Sequence, residues 1–185
     1  MLFVGQDVSG KTLGLIGAGN IGQKVAQILK MAFNMNVVYF DTRQNEILEK
    51  DMGAKRVHTI DELASDSDII SLHVPLLPST KHMVDESFLR KMKPTAYLIN
   101  TSRGPVVDEK ALIKALQEKL IKGAALDVFE FEPKVSRGLK KLSNIIVTPH
   151  IASASEEARA EMSHISAQNI IDVFEGRVPK GLVRP

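Results

Sequence analysis

Arg103 stands in Asn100-Thr101-Ser102-Arg103-Gly104-Pro105, Glu132 in Phe129-Glu130-Phe131-Glu132-Pro133, and His150 in Thr148-Pro149-His150-Ile151-Ala152-Ser153. An arginine fork can hold a carboxylate in two parallel bonds and polarise a neighbouring carbonyl. A histidine titrates near neutral pH, so it can exchange a proton with an oxygen. A glutamate can orient an imidazole by a hydrogen bond and favour its charged form, which raises the histidine pKa. Together these types suit the interconversion of a 2-keto acid and a 2-hydroxy acid. Glu130 lies two residues before Glu132, and only one of the two can be the histidine's partner. The chain has no cysteine, so disulfide scaffolds, cysteine nucleophiles and thiolate metal sites are excluded. His58, His82 and His164 are isolated in sequence and give no metal-ligand spacing, so no metal site is expected.

Two glycine motifs compete for a phosphate ligand. Gly5-Gln6-Asp7-Val8-Ser9-Gly10-Lys11-Thr12 matches the P-loop letter for letter, but that loop needs a strand before it and a helix after it. The residues that follow include Gly14, Gly17 and Gly19, and a helix interior loses ~1 kcal/mol at each glycine relative to alanine. Gly17-Ala18-Gly19-Asn20-Ile21-Gly22 has the better context. It follows an apolar run and opens a helical pattern, and Asp41 ends the next run about 20 positions on, which completes the dinucleotide fingerprint. In that reading Gly17 makes the tight turn, Gly19 admits a pyrophosphate and Gly22 lets helix and strand pack closely. The helix N-terminus faces the phosphates. Asp41 accepts from the adenosine ribose hydroxyls, which favours NAD. Arg43 keeps NADP open, because an arginine there could meet a 2′-phosphate.

These side chains need a frame that brings them together. Apolar runs at Thr12–Ile16, Asn36–Phe40, Asp68–His73, Ala96–Asn100, Ala124–Val128 and Asn144–Thr148 predict six strands, with Lys55–His58 as a shorter seventh. They lack strict alternation, as strands covered on both faces do. Helices are expected over Ile21–Phe33, over Glu86–Met92 behind an Asp85 cap, over Glu109–Lys119 behind an Asp108 cap, and from Ala154 to Phe174 with Gly176 as a stop. Thr59 with Glu62, and Ser153 with Glu156, fit capping boxes. Ala158, Met162, Ile165 and Ile170 or Ile171 predict a core-facing stripe on the last helix. The alternation predicts a Rossmann-type, doubly wound parallel sheet of six or seven strands with helices on both faces. In such sheets ligands bind outside the carboxyl ends of the strands, and Arg103, Glu132 and His150 all follow strands there.

The chain has 185 residues, 44% apolar, with a formal net charge of +2. That length fits one domain, and the charge balance argues against a nucleic-acid or membrane-surface partner. No run reaches the ~20 apolar residues of a membrane span, and Met1–Val4 has neither the basic start nor the cleavage site of a signal peptide. A cytoplasmic location is expected. Met1–Val4 is apolar enough to pack on something, either in a homodimer or at an edge between domains.

The stretches Gly17–Gly22, Leu72-His73-Val74-Pro75-Leu76, Leu98-Ile99-Asn100-Thr101-Ser102-Arg103-Gly104, Leu126-Asp127-Val128-Phe129, Glu132-Pro133 and Thr148-Pro149-His150-Ile151-Ala152-Ser153 resemble the D-isomer-specific 2-hydroxyacid dehydrogenases. Their glyoxylate and hydroxypyruvate reductases are the nearest in flavour. The resemblance implies an oxidoreductase acting on a small D-2-hydroxy or 2-keto acid, with Arg103, Glu132 and His150 as the catalytic trio. It implies that Asp127 sits near the nicotinamide amide. The cofactor is expected against Gly17, Ala18, Gly19, Asn20, Ile21, Gly22, Asp41, Thr42, Arg43, His73, Val74, Pro75, Thr101, Ser102, Arg103, Asp127, His150 and Ala152. The resemblance covers the cofactor domain only. Residues 1–185 are expected to form a single dinucleotide-binding domain without the family's substrate domain, and 1–10 and 176–185 read as inter-domain remnants. A homodimer through the cofactor domain is also implied. The alternative is a non-catalytic NAD(H)-binding sensor or scaffold, with a P-loop NTPase as the lesser one.

Overall fold

The computed structural model describes residues 5–182. Met1–Val4 and residues 183–185 lie outside them. Seven strands form one sheet: β1 Thr12–Ile16, β2 Asn36–Phe40, β3 Lys55–Arg56, β4 Ile69–Leu72, β5 Tyr97–Asn100, β6 Gly123–Leu126 and β7 Ile145–Val147. All neighbouring pairs are parallel and the order is β3-β2-β1-β4-β5-β6-β7. This is the Rossmann-type sheet that the strand-helix alternation predicts. Helices α1 Asn20–Phe33, α2 Glu46–Met52, α3 Ile60–Asp66, α4 Glu86–Lys91, α5 Glu109–Gln117 and α6 Glu156–Phe174 lie between and after the strands. The chain divides into two compact units, the first ending at His150 and the second starting at Ile151. The second unit contains α6. No described helix is long and apolar enough to cross a membrane.

Strand side chains point alternately to opposite faces, and both faces of β1 and β2 are apolar for that reason. Leu13, Leu15, Val37 and Tyr39 pack with Ala26 of α1 and Leu48 of α2. Ile16, Val38, Ile70, Leu72, Leu98 and Leu126 join a second cluster with Leu63, Phe88, Leu89 and Leu112 from α3, α4 and α5. The strand order turns back between β1 and β4, so their carboxyl ends bound the crevice where dinucleotides bind.

Helix starts follow the local chemistry. Thr59, Asp85 and Asp108 accept backbone N–H bonds at the caps expected for them. Glu62 reaches back to the N–H of His58 rather than to that of Thr59. The α2 helix was not legible as a periodic segment, yet it is bounded by an Asn45 cap and a left-handed Gly53. Two expectations are corrected. The last helix starts at Glu156 with Ser155 as its cap, not at Ala154 behind Ser153, because either serine can cap and only one register leaves an acceptor beneath the Ala158 N–H. Its apolar residues do not form a buried stripe: Met162, Ile165, Ile170 and Ile171 are exposed, and Asp172 is the buried residue, hydrogen-bonded to Gln168 and Arg177. The run from Ile170 to Phe174 spreads apolar groups around the helix rather than along one side.

The P-loop reading is also overturned. Asp7 accepts the Ser9 N–H in a local turn, Gly10 is left-handed, and Lys11 leads directly into β1. A strand follows the motif where phosphate binding needs a helix.

Asn45 offers a test of the frame. It caps α2 through Oδ1 and donates from Nδ2 to the Ala18 carbonyl. Asn45→Ala is expected to lower stability by about 1–2 kcal/mol, read as a fall in the urea midpoint at unchanged slope.

Candidate active site

Parallel register carries five strand ends to one level. Ile16 pairs with Leu72, Leu72 with Asn100, Asn100 with Leu126, and Leu126 with Val147. Gly17, His73, Asp127 and Thr148 therefore leave the sheet side by side, held by His73 N–H to Ile16 O, Asp127 N–H to Asn100 O and Thr148 N–H to Leu126 O.

At the β1/β4 crevice the chain turns at Gly17, whose φ is +97°. A Cβ there would stand 2.7 Å from the His73 carbonyl, and one at Gly22 would stand 2.2 Å from the Gly17 oxygen. Only glycine permits both approaches. At Gly19 a Cβ would meet nothing, so the turn leaves open space against its backbone. The α1 helix begins there with no side-chain cap and no acid in its first turn, which leaves its positive end available to an anion. Asn20 and Ile21 are exposed on that first turn, and Ala18 is buried. Asp41, at the end of β2, accepts the Ala18 N–H at 2.7 Å through Oδ2, and the Arg43 N–H and the Thr42 hydroxyl through Oδ1. The acid is thus tied to the glycine turn. Val74 packs partly buried beside Gly17, and Pro75 is exposed with its carbonyl bonded to the Thr80 hydroxyl.

Further along the same edge, Asn100 is fully buried and its side chain organises the next turn. It accepts from the Ser102 N–H and hydroxyl and donates to the Arg103 carbonyl. Thr101 and Arg103 are exposed, and the guanidinium bonds only the Ser102 carbonyl among the described residues. At Gly104 a Cβ would lie 1.9 Å from the Phe129 oxygen, so the Arg103 turn packs backbone to backbone on the loop after β6. In that loop Glu132 accepts the Phe129 N–H at 2.9 Å and bonds His150 Nδ1 at 3.0 Å. Pairing Nδ1 leaves Nε2 as the outward nitrogen. A cleft of about 430 Å³ opens beside the pair, lined by Phe129, Glu132, Pro133, Val135, Pro149 and His150. The His150 bond, then the Phe129 N–H, hold the Glu132 carboxyl below the usual carboxylate range, against partial burial and the charge of Asp127. His150 itself has φ +56°, a left-handed conformation that costs ~1 kcal/mol or more in a non-glycine residue. Asp127 is buried and accepts the Thr148 hydroxyl at 2.5 Å.

A profile described as D-isomer specific 2-hydroxyacid dehydrogenase, NAD binding domain, matches residues 2–152. The chain belongs to that family. It is 48% identical over 184 residues to a glyoxylate reductase of Korarchaeum cryptofilum, covering 99% of this chain and 55% of the relative. The fold matches the holo form of Rhodotorula graminis D-mandelate dehydrogenase with a TM-score of 0.90 at 36% identity, over 97% of this chain and 53% of that one. It also matches the NAD complex of a D-isomer specific 2-hydroxyacid dehydrogenase from Lactobacillus delbrueckii ssp. bulgaricus, with a TM-score of 0.88 at 34% identity, over 98% and 58%. The chain spans little more than half the length of these relatives. NAD is the family's cofactor, and the open cradle at Gly19, the uncapped start of α1 and the anchored Asp41 fit it.

The structure brings together Glu132 and His150, and the glycine turn, Asp41 and His73. It sets Arg103 on the adjoining loop without a hydrogen bond to Glu132 or His150. Ala152 belongs to the second unit. Several residues at this edge escaped the sequence reading. Arg56 donates to the Asp41 and Thr42 carbonyls, Asn45 bonds the glycine turn, and Ser71 bonds the His73 ring at 2.9 Å. His82, isolated in sequence, meets Glu130 at 2.7 Å. Among the described residues no group of His, Asp and Glu could hold a metal.

Burial lowers the pKa of His73 from the ordinary histidine value. The unfolded chain therefore takes up that proton first as pH falls. Stability from this group is complete above about pH 6.5 and is lost as pH falls from there toward the folded value, by at most about 1.4 kcal/mol per pH unit. His73→Gln is expected to flatten the decline of the urea midpoint between pH 7 and pH 5. The Glu132 contribution is lost at lower pH, as the carboxyl protonates.

Proposed function

We propose that this chain is the cofactor half of an oxidoreductase that interconverts a small 2-keto acid and its 2-hydroxy acid, glyoxylate or hydroxypyruvate being the fitting substrates. One observation carries the reading: the Glu132–His150 pair stands on the strand-end edge that also holds the glycine turn and Asp41. Bound NADH supplies the hydride in the reduction direction. The remaining work falls to side chains of this chain.

Arg103 binds the substrate carboxylate and polarises the neighbouring carbonyl, and its exposure leaves the fork accessible. His150 gives a proton from Nε2 to the alkoxide oxygen as the carbonyl carbon is reduced. Glu132 stays on Nδ1 throughout, fixing the ring and stabilising its charged form. Oxidation runs the same steps backwards, with Nε2 accepting the hydroxyl proton. Asp41 would hold the adenosine ribose of the cofactor, and the start of α1 its pyrophosphate. Asp127 would sit near the nicotinamide amide.

Calorimetric titration with NADH, and with NADPH in parallel, tests the cradle. Micromolar NADH binding that weakens at least tenfold in Asp41→Ala, with weaker NADPH binding, is the expected result. No binding of either nucleotide by the folded chain would overturn it. Steady-state reduction of glyoxylate tests the chemistry: His150→Ala is expected to lower kcat/KM by about 10²–10⁴. Turnover unchanged in His150→Ala would overturn the acid–base assignment.

A further inference from the structure

Two histidines pair with two alternate glutamates of one loop. His150 meets Glu132, and His82 donates from Nε2 to Glu130 Oε1 at 2.7 Å. Both histidines have left-handed backbones, with φ of 56° and 52°. The first pair belongs to the catalytic edge. The second is tied into a different set of bonds, which grips the loop on either side of Glu132.

The Glu130 N–H donates to Glu109 Oε1 at 2.5 Å, and the Glu109 N–H donates to Glu130 Oε2 at 3.3 Å. Each glutamate therefore holds the other's backbone. Glu109 Oε2 also accepts the Ser136 hydroxyl at 2.5 Å. Glu109 is only 2% exposed, and a buried carboxylate is costly unless its oxygens are satisfied. Its place in the first turn of α5 favours an acid, but that preference needs no contact with the loop after β6. The bonds it makes fix the backbone at Glu130 and the side chain of Ser136. His82 extends the clamp to the other catalytic loop, since its N–H donates to the Pro105 carbonyl, two residues past Arg103. The same two loops touch at Gly104, where the Phe129 oxygen leaves no room for a Cβ.

We propose that Glu130, clamped by Glu109 and His82, is a positioning residue that holds the loop from Phe129 to Ser136 in the register that turns the Glu132 carboxylate onto His150. The proposal rests on Glu132–His150 as the acid–base pair and adds what keeps that pair assembled in an exposed cleft.

The test is an NMR titration of the His150 ring in this chain. The interval between the wild-type curve and that of Glu132→Gln measures the full loss of the partner. Glu130→Ala is expected to displace the His150 titration by at least half of that interval, in the same direction. Glu130→Gln removes the same charge but keeps an acceptor oxygen, and is expected to displace it less than alanine does. His82→Gln alters a half-exposed position, leaves both glutamates in place, and is expected to move the curve the same way. A role in stability alone would lower the urea midpoint and leave the His150 curve of the folded chain in place.

The proposal is overturned if Glu130→Ala and His82→Gln leave His150 on the wild-type curve while Glu132→Gln moves it. Equal displacement by Glu130→Ala and Glu130→Gln also overturns it, because that pattern is the through-space effect of one lost charge. A Glu132→Gln curve identical to wild type removes the acid–base reading itself, and the clamp's purpose with it.

Discussion

The common register of the parallel strands is the constraint on which this chain depends. Hydrogen bonding between neighbouring strands fixes Ile16, Leu72, Asn100, Leu126 and Val147 at one level. A one-residue slip would exchange the two faces of a strand and move its apolar side chains out of their clusters. Both faces of β1 and β2 are committed to packing, so the register there is held from two sides. The loops that leave the strand ends inherit that precision.

Those loops then have to satisfy their own polar groups near a buried edge. Asn100, Ser102, Glu109 and Asp127 are all buried at or beside the site. Each is hydrogen-bonded to a neighbouring loop or to its own turn. Burial of such groups is unfavourable by itself, and only well-made hydrogen bonds offset it. The consequence is a set of short turns with little freedom, from which exposed side chains project. Arg103, Glu132 and His150 are exposed, while the groups that fix their backbones are not.

Close backbone approach does the remaining work. At Gly17 and Gly22 the glycine turn meets His73, just past β4, and itself, and at Gly104 the Arg103 turn meets the loop after β6. At each of these points the nearest neighbour of a Cβ would be a backbone atom. The glycine turn and the Glu132–His150 pair lie along one edge of a single sheet.

The strands, the glycine turn and the acid that ends β2 are legible in the order of residues alone, because these are local. A run of β-branched residues, a helix pattern and a Gly-x-Gly-x-x-Gly spacing carry their physics within a few residues of themselves. The order of residues also places Arg103, Glu132 and His150 at strand ends, since parallel topology follows from the alternation of elements. Helix starts were legible where one capping residue stood alone, as at Asp85 and Asp108, and ambiguous where two competed, as at Ser153 and Ser155. The pairings, by contrast, are settled in the fold. Glu130 and Glu132 are alike in sequence. Which one meets His150, and that the other meets His82 and Glu109, depends on how segments 18 to 48 residues apart come to rest. The Asn45 bond to the glycine turn and the Arg56 bonds to the end of β2 are decided the same way. A side chain's partner is set by the space around it, and that space exists only once the sheet has formed.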